Sequence, residues 1–224
     1  MKRSKLLALS LTLLLATTSL LASCGTHDST NSAVNYTYQG QTFAEQQKPE
    51  AAIAAYQKAI QNDPTYTYAY IGWGDTLRDQ NKLEEAVEVY QKAIQVAPEK
   101  AQPYLSLGAV LLAQKKSEQA IAAYQKAVRL EPTPLHYLNL GNALLDLNRP
   151  EEASKAYSKA IELNPGFPEE ADAHHGLGLA LKQQGKPLEA VEEFKQALKI
   201  APDFPEAQSN LKLVQEQLAE QQKP

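Results

Sequence analysis

Five prolines, Pro64, Pro98, Pro132, Pro165 and Pro202, follow one another at intervals of 34, 34, 33 and 37 residues. A fixed period of this length confines a chain to architectures that stack one small unit many times. Alignment on the prolines gives five units, Ala33–Tyr66, Thr67–Lys100, Ala101–Thr133, Pro134–Phe167 and Ala171–Phe204, with Pro168–Glu170 inserted before the fifth. Position 8 of the unit is always glycine (Gly40, Gly74, Gly108, Gly141, Gly178). Position 20 is always alanine (Ala52, Ala86, Ala120, Ala153, Ala190), as is position 27. Position 24 is aromatic throughout (Tyr56, Tyr90, Tyr124, Tyr157, Phe194).

This pattern has a direct physical reading. Positions 20, 24, 27 and 28 lie on one face of a helix, and positions 4, 8 and 11 do the same for a preceding helix. Glycine at 8 and alanine at 20 remove bulk where two helices pack closely, and the aromatic at 24 fills the space between them. The proline at 32 ends the second helix. Pro49, Pro150 and Pro187 fall at the start of second helices, where a missing N–H costs little. Each unit alone leaves an apolar face uncovered, so stacking is what stabilises it.

These positions resemble the tetratricopeptide repeat, a helix-turn-helix unit of 34 residues, over residues 33–204. The resemblance implies an all-α, right-handed α-solenoid of five repeats. Residues 205–224 read as a closing segment. Ala207, Leu211, Val214 and Leu218 make a narrow apolar stripe there, suited to a capping helix. At the other end, Val34-Asn35-Tyr36-Thr37-Tyr38 is rich in weak helix formers, so the first helix, 33–46, is expected to fray.

The segment before the repeats is of another kind. Lys2, Arg3 and Lys5 precede an uncharged run from Leu6 to Leu21, and the run closes on Leu21-Ala22-Ser23-Cys24. This is a secretory signal pattern. Leu-Ala-Ser-Cys resembles the lipobox of bacterial lipoproteins. That resemblance implies a signal peptide over 1–23, cleavage before Cys24, and acylation of Cys24 as the membrane anchor, stable when more than one chain is attached. Residues 24–32 then form a lipidated N-terminus and flexible leash. The implied location is the outer face of the cytoplasmic membrane or the outer membrane. Gly25 carries no aspartate retention signal. Loss of Lys2, Arg3 and Lys5 moves the net charge from −4 to −7.

That acidity excludes a nucleic-acid footprint. Cys24 is the one cysteine, which excludes an internal disulfide and a cysteine metal cage. His174 and His175 are adjacent and point apart on a helix, and no His-Glu-x-x-His pattern or phosphate-binding glycine loop occurs. No catalytic residue, cofactor or metal site is expected.

Partner binding is the remaining chemistry. Stacked units of the resembled family present a concave surface made of first helices. At 100° per residue, positions 4, 7, 8 and 11 face the partner helix, and positions 2, 5, 6, 9, 12 and 13 lie opposite. The candidate groove residues are Tyr38, Tyr68, Ile71, Leu105, Leu135, Leu138, Asn139, Asn142 and His175. Leu112 and Leu145 serve equally as packing residues. An apolar strip rimmed by polar groups marks a partner site, and the paired amides of Asn139 and Asn142 suit an extended backbone. Some family members clamp a terminal carboxylate with Lys at positions 2 and 5, Arg at position 6 and Asn at positions 6 and 9. Here only Asn139 and Asn142 match that pattern, so the expected partner is a protein or peptide segment with apolar side chains and neutral or basic character. The expected function is a non-catalytic, membrane-anchored scaffold in the bacterial envelope. An assembly factor for a multi-subunit membrane complex, and a small-ligand receptor or enzyme, stay open as alternatives.

Overall fold

A computed structural model describes residues 31–221, so the expectations for the signal peptide and Cys24 lie outside the described residues. Every regular element among the described residues is an α-helix. In chain order they are α1 (31–45), α2 (Pro49–Asn62), α3 (Thr67–Asp79), α4 (Leu83–Val96), α5 (Ala101–Ala113), α6 (Ser117–Leu130), α7 (Pro134–Asp146), α8 (Pro150–Leu163), α9 (Glu170–Gln183), α10 (Pro187–Ile200) and α11 (Pro205–Gln221). None of them is long and apolar enough to cross a membrane. The helices form two compact units that divide at Pro98 and Glu99.

In both units, helices adjacent in sequence pack on one another. The two helices of each repeat are joined by the same turn. The residue at position 15 has a positive φ in all five repeats: Gln47 (57°), Asn81 (59°), Lys115 (60°), Asn148 (55°) and Gly185 (74°). The following N–H bonds back to the carbonyl at position 11, as in Lys82 N to Leu77 O at 2.9 Å and Arg149 N to Leu144 O at 2.9 Å. The position-15 N–H bonds to the carbonyl at position 12, as in Lys115 N to Leu112 O at 2.8 Å. This pair of bonds is a Schellman motif, and it satisfies carbonyls that the helix end would otherwise orphan. Pro49, Pro150 and Pro187 open α2, α8 and α10.

The first unit places α1 and α3 beside α2 and α4. Helix α1 is formed in spite of its poor propensity, and it includes residues 31 and 32 of the expected leash. Its cohesion is tertiary: Ala33 packs with Ala59 and Ala69 in a small core, flanked by Tyr36, Ile60 and Tyr66. Burial on this scale outweighs a few tenths of a kcal/mol per residue of propensity.

The second unit carries three repeats and α11. Helices α7 and α9 lie side by side, each against α8, while α11 packs on α10. Helix α11 buries Ala207 and Val214 and leaves Leu213 exposed, so the apolar stripe meets the preceding repeat along a narrow line.

The position-24 rings are the main core elements. Tyr56, Tyr90, Tyr157 and Phe194 are buried to within 2% of full enclosure. Burying such a ring is worth about 1.5–3 kcal/mol. Each ring lies flat against the position-8 glycine of its own repeat. A Cβ on Gly40, Gly74, Gly108, Gly141 or Gly178 would fall 2.5–2.7 Å from a ring carbon.

Candidate functional site

Two rings have a second glycine against their other side. A Cβ on Gly72 would fall 2.5 Å from the Tyr56 ring, and one on Gly176 would fall 2.5 Å from the Tyr157 ring. Gly72 and Gly176 both stand at position 6, on the first helix of the next repeat. The tyrosine is thus clamped between its own first helix and the one that follows. Missing side chains at position 6 leave a depression above the ring edge in each unit.

In the first unit this depression has a volume of about 260 Å³ and is lined by Gln41, Glu45, Tyr68, Ile71 and Asp75, with Tyr56 and Gly72 beneath. In the second unit it has a volume of about 390 Å³ and is lined by Leu138, Asn142, Leu145, Asp146, Asp172, His175 and Leu179, with Tyr157 and Gly176 beneath. Lining residues occupy equivalent repeat positions in the two cases: 9 and 13 on one first helix, 2, 5 and 9 on the next.

The expected groove residues fall into distinct groups. Tyr68 and Ile71 meet in the first depression, and Leu138, Asn142 and His175 meet in the second. Tyr38, Leu105, Leu135 and Asn139 line neither. Tyr38 and Tyr68 are 70% and 56% exposed, and Leu135 is 42% exposed. Leu105 and Asn139 are half-buried.

The expectation that position 5 is open to solvent is corrected by the structure. Thr37, Ile71 and Leu138 are buried there. Position 6 is closed at Gly176 as well. Angular spacing within one hairpin identifies the side facing its own second helix. For Ile71 in the first unit and Leu138 in the second, it says nothing of the second helix of the preceding repeat, which packs on the helix that carries them. In the second unit α8 packs against both α7 and α9 in this way. Ile71 and Leu138 therefore serve as walls rather than as projecting anchors.

Polar groups at the site are partly engaged by the fold. The Tyr157 hydroxyl donates to Asn142 Oδ1 at 2.7 Å, and Asn139 Nδ2 donates to the Leu135 carbonyl of its own helix at 2.9 Å. The Tyr90 hydroxyl likewise donates to Asp75 Oδ1 at 2.7 Å. In both pairs the acceptor is at position 9 and the donor at position 24. In the fifth repeat Leu179 and Phe194 stand at these positions, so hydroxyl and acceptor are absent together. Burial pushes the Tyr56 hydroxyl up to about 12. It also raises Tyr90 and Tyr157, with nearby Asp75 and Asp146 adding to the effect. All three hydroxyls stay protonated.

His175 is half-covered by the chain that follows it. Its ring lies 4.9 Å from the Phe204 ring and 5.7 Å from the Phe194 ring. Asn210 Nδ2, from α11, lies 3.1 Å from His175 Nε2, which accepts. Desolvation lowers the His175 pKa below its usual value, against the opposing pull of Asp172 and Glu206. Its neighbour His174 turns the other way, and its Nδ1 donates to Glu193 Oε2 at 2.6 Å.

Charge divides the two depressions. In the first, Asp75 and Asp79 share the Arg78 guanidinium, with N–O distances of 3.0 Å each. In the second, Asp146 and Asp172 are exposed, and no ion pair to either is found among the described residues. In the sequence these acids stand at positions 2, 9 and 13 of the first helices, where nothing singles them out. The signal that would have done so is glycine at position 6 in the second and fifth repeats.

Comparison with known proteins agrees with this architecture. Family profiles described as tetratricopeptide repeat match residues 36–67, 101–134 and 138–205, and one described as TPR repeat matches 74–115. No curated protein matches the chain in sequence. Among solved structures, the MamA protein superposes with a TM-score of 0.65 at 28% identity, over 75% of this chain and 91% of that one. YrrB, described as a TPR protein with an unusual peptide-binding site, superposes with a TM-score of 0.66 at 25% identity, over 80% of this chain and 92% of that one. MamA from Desulfovibrio magneticus RS-1 shares the fold at 23% identity, with a TM-score of 0.66 over 77% of this chain and 97% of that one. From the matched profiles and the repeated ring-and-glycine packing, the chain belongs to the tetratricopeptide repeat family.

Proposed function

We propose that this protein is a non-catalytic scaffold that holds a segment of another protein on the first-helix face of its repeats, tethered to a membrane through acylated Cys24. The observation that carries the binding half is the repeated depression at position 6, flanked by exposed Tyr68 in one unit and by Asn142 in the other. Exposed aromatic side chains beside a concavity are the kind of surface that partner proteins bury. YrrB, similar over most of its length, is described as binding peptide, which supports the same use here. The tether rests on the Leu21–Cys24 motif and the charged, then apolar, segment before it.

Two experiments test the halves separately. A photo-crosslinking amino acid placed at Tyr68 or Leu135 in the full chain should trap a partner in native membranes, and one placed at Glu88 on α4 should not. Equal trapping at all three positions would remove the site from the first-helix face. For the tether, Cys24→Ser should abolish labelled-palmitate incorporation and release the protein from the membrane fraction. Palmitate incorporation that persists in the variant would overturn the lipidation.

A further inference from the structure

Helix α1 turns an uncharged, partly apolar side to solvent. Val34, Asn35, Tyr38, Gln39 and Gln41 are exposed along it. Val34 and Tyr38, four residues apart and so neighbours on the helix surface, are 43% and 70% exposed. No charged side chain occurs from Asn31 to Ala44. Tyr38 stands at position 6, and its counterpart on α3 is Gly72, which lies against the Tyr56 ring of the preceding repeat. Among the described residues no second helix precedes α1, so the side that Tyr56 covers on α3 stays open on α1.

The tether gives this side an occupant. Asn31, the first residue of α1, stands seven residues after Cys24. Seven residues span about 25 Å at full extension, and Tyr38 lies about 10 Å further along the helix. A linker this short holds α1 at the lipid surface at an effective concentration of about millimolar, where a weak surface affinity is enough. Tyrosine suits such a contact, because its ring sits at headgroup level while its hydroxyl stays in water. Charge favours the same side. Without Lys2, Arg3 and Lys5 the chain carries −7, and an anionic lipid surface repels acidic faces. The first carboxylate of α1 is Glu45, in its last turn.

We propose that Val34 and Tyr38 dock into the lipid headgroup layer and set the first unit on the membrane by the α1 side. This rests on the tether through acylated Cys24 and adds a second membrane contact to it. Tyr38 is then a lipid contact rather than a groove residue, in keeping with its place outside both depressions.

The acyl chains hold the protein on lipid whatever α1 does, so the test reads contact rather than partition. The full chain, purified from membranes, is reconstituted into vesicles of phosphatidylethanolamine and phosphatidylglycerol that contain a nitroxide-labelled phospholipid. Trp73→Phe removes the one native tryptophan. In that background the fluorescence of a Tyr38→Trp variant should shift to the blue and be quenched by the nitroxide lipid, and that of a Glu88→Trp variant, on exposed α4 surface, should do neither. If Trp73→Phe disturbs the helicity, Tyr38→Cys carrying an environment-sensitive dye keeps Trp73 and gives the same reading. Labelled palmitate on the same preparation reports the tether. Palmitate incorporation without quenching at position 38 would overturn the contact and leave the tether standing, as would equal quenching at positions 38 and 88. Shielding of position 38 from aqueous acrylamide without quenching by lipid would assign the α1 side to protein, such as a second copy of this chain, and would overturn the contact too. Absence of palmitate would remove the tether and this contact together.

Discussion

Tyr90 lies against Gly74 so closely that a Cβ on Gly74 would sit 2.5 Å from its Cε1 and 2.7 Å from its Cζ. The ring is fully enclosed and its hydroxyl is held by Asp75. It has no free rotamer to escape into. The alanine of Gly74→Ala would gain about 1 kcal/mol of helix propensity and cost about 1–3 kcal/mol in overpacking. We expect a net loss, read as a melting temperature lower by a few degrees. An unchanged or higher melting temperature would contradict the close packing.

The two hydroxyl acceptors, Asp75 and Asn142, do the same job with different charge. Burial raises the Asp75 pKa above its ordinary 3.8, while Tyr90 and Arg78 hold it down in part. A carboxyl with a raised folded pKa contributes stability that is fully present below its unfolded pKa and is lost as pH rises through the folded value. Asp75→Asn removes that loss and keeps an oxygen for Tyr90, as Asn142 does for Tyr157. Its stability relative to wild type should therefore improve from about pH 4 upward. Urea titrations at pH 3.5 and 7 would show this; a relative stability that falls with pH would reverse the sign.

Lys115 adopts φ 60° at the turn where Gly185 serves in the fifth repeat. The left-handed conformation costs a non-glycine residue about 1–2 kcal/mol, and the greater freedom of glycine in the unfolded chain costs about 0.4–1 kcal/mol. Lys115→Gly should accordingly stabilise by roughly 0.5–1 kcal/mol. A loss of stability would show that the Lys115 side chain contributes to the turn.

His175 ties α9 to α11 in its neutral form. Its folded pKa is lowered from 6.5 by burial, so the unfolded chain binds a proton first as pH falls. Stability should be constant above about pH 7 and decline as pH drops below the unfolded value. Asp172 and Glu206 moderate the decline. His175→Phe keeps an aromatic between Phe194 and Phe204 and should flatten it. Thermal unfolding at pH 7.5 and pH 5 gives the comparison; an equal decline in the variant would assign the acid sensitivity elsewhere.

Much of this fold was legible because a repeat states each packing requirement five times. Glycine at position 8, alanine at 20 and an aromatic at 24 follow from one close helix pair, and the five prolines mark where each second helix stops. The turn residues were partly legible. Asn81, Asn148 and Gly185 are ordinary left-handed residues, whereas Gln47 and Lys115 carry no such sign and take the conformation because the Schellman bonds demand it.

The candidate site was less legible, because it is made between repeats. Within one hairpin Ile71 and Leu138 face away from the partner helix, and their sequence reads as an open surface. The neighbouring second helix buries both. Gly72 and Gly176 look like incidental glycines until the preceding tyrosine is placed against them. His175 reads as a groove residue until Phe204 and Asn210 of the following segment arrive over it. Sequence periodicity therefore determined the unit, its boundaries and its internal core, since each depends on contacts a few tens of residues apart. Only the tertiary structure decided which first-helix positions stay open, because that depends on how one repeat covers the flank of the next.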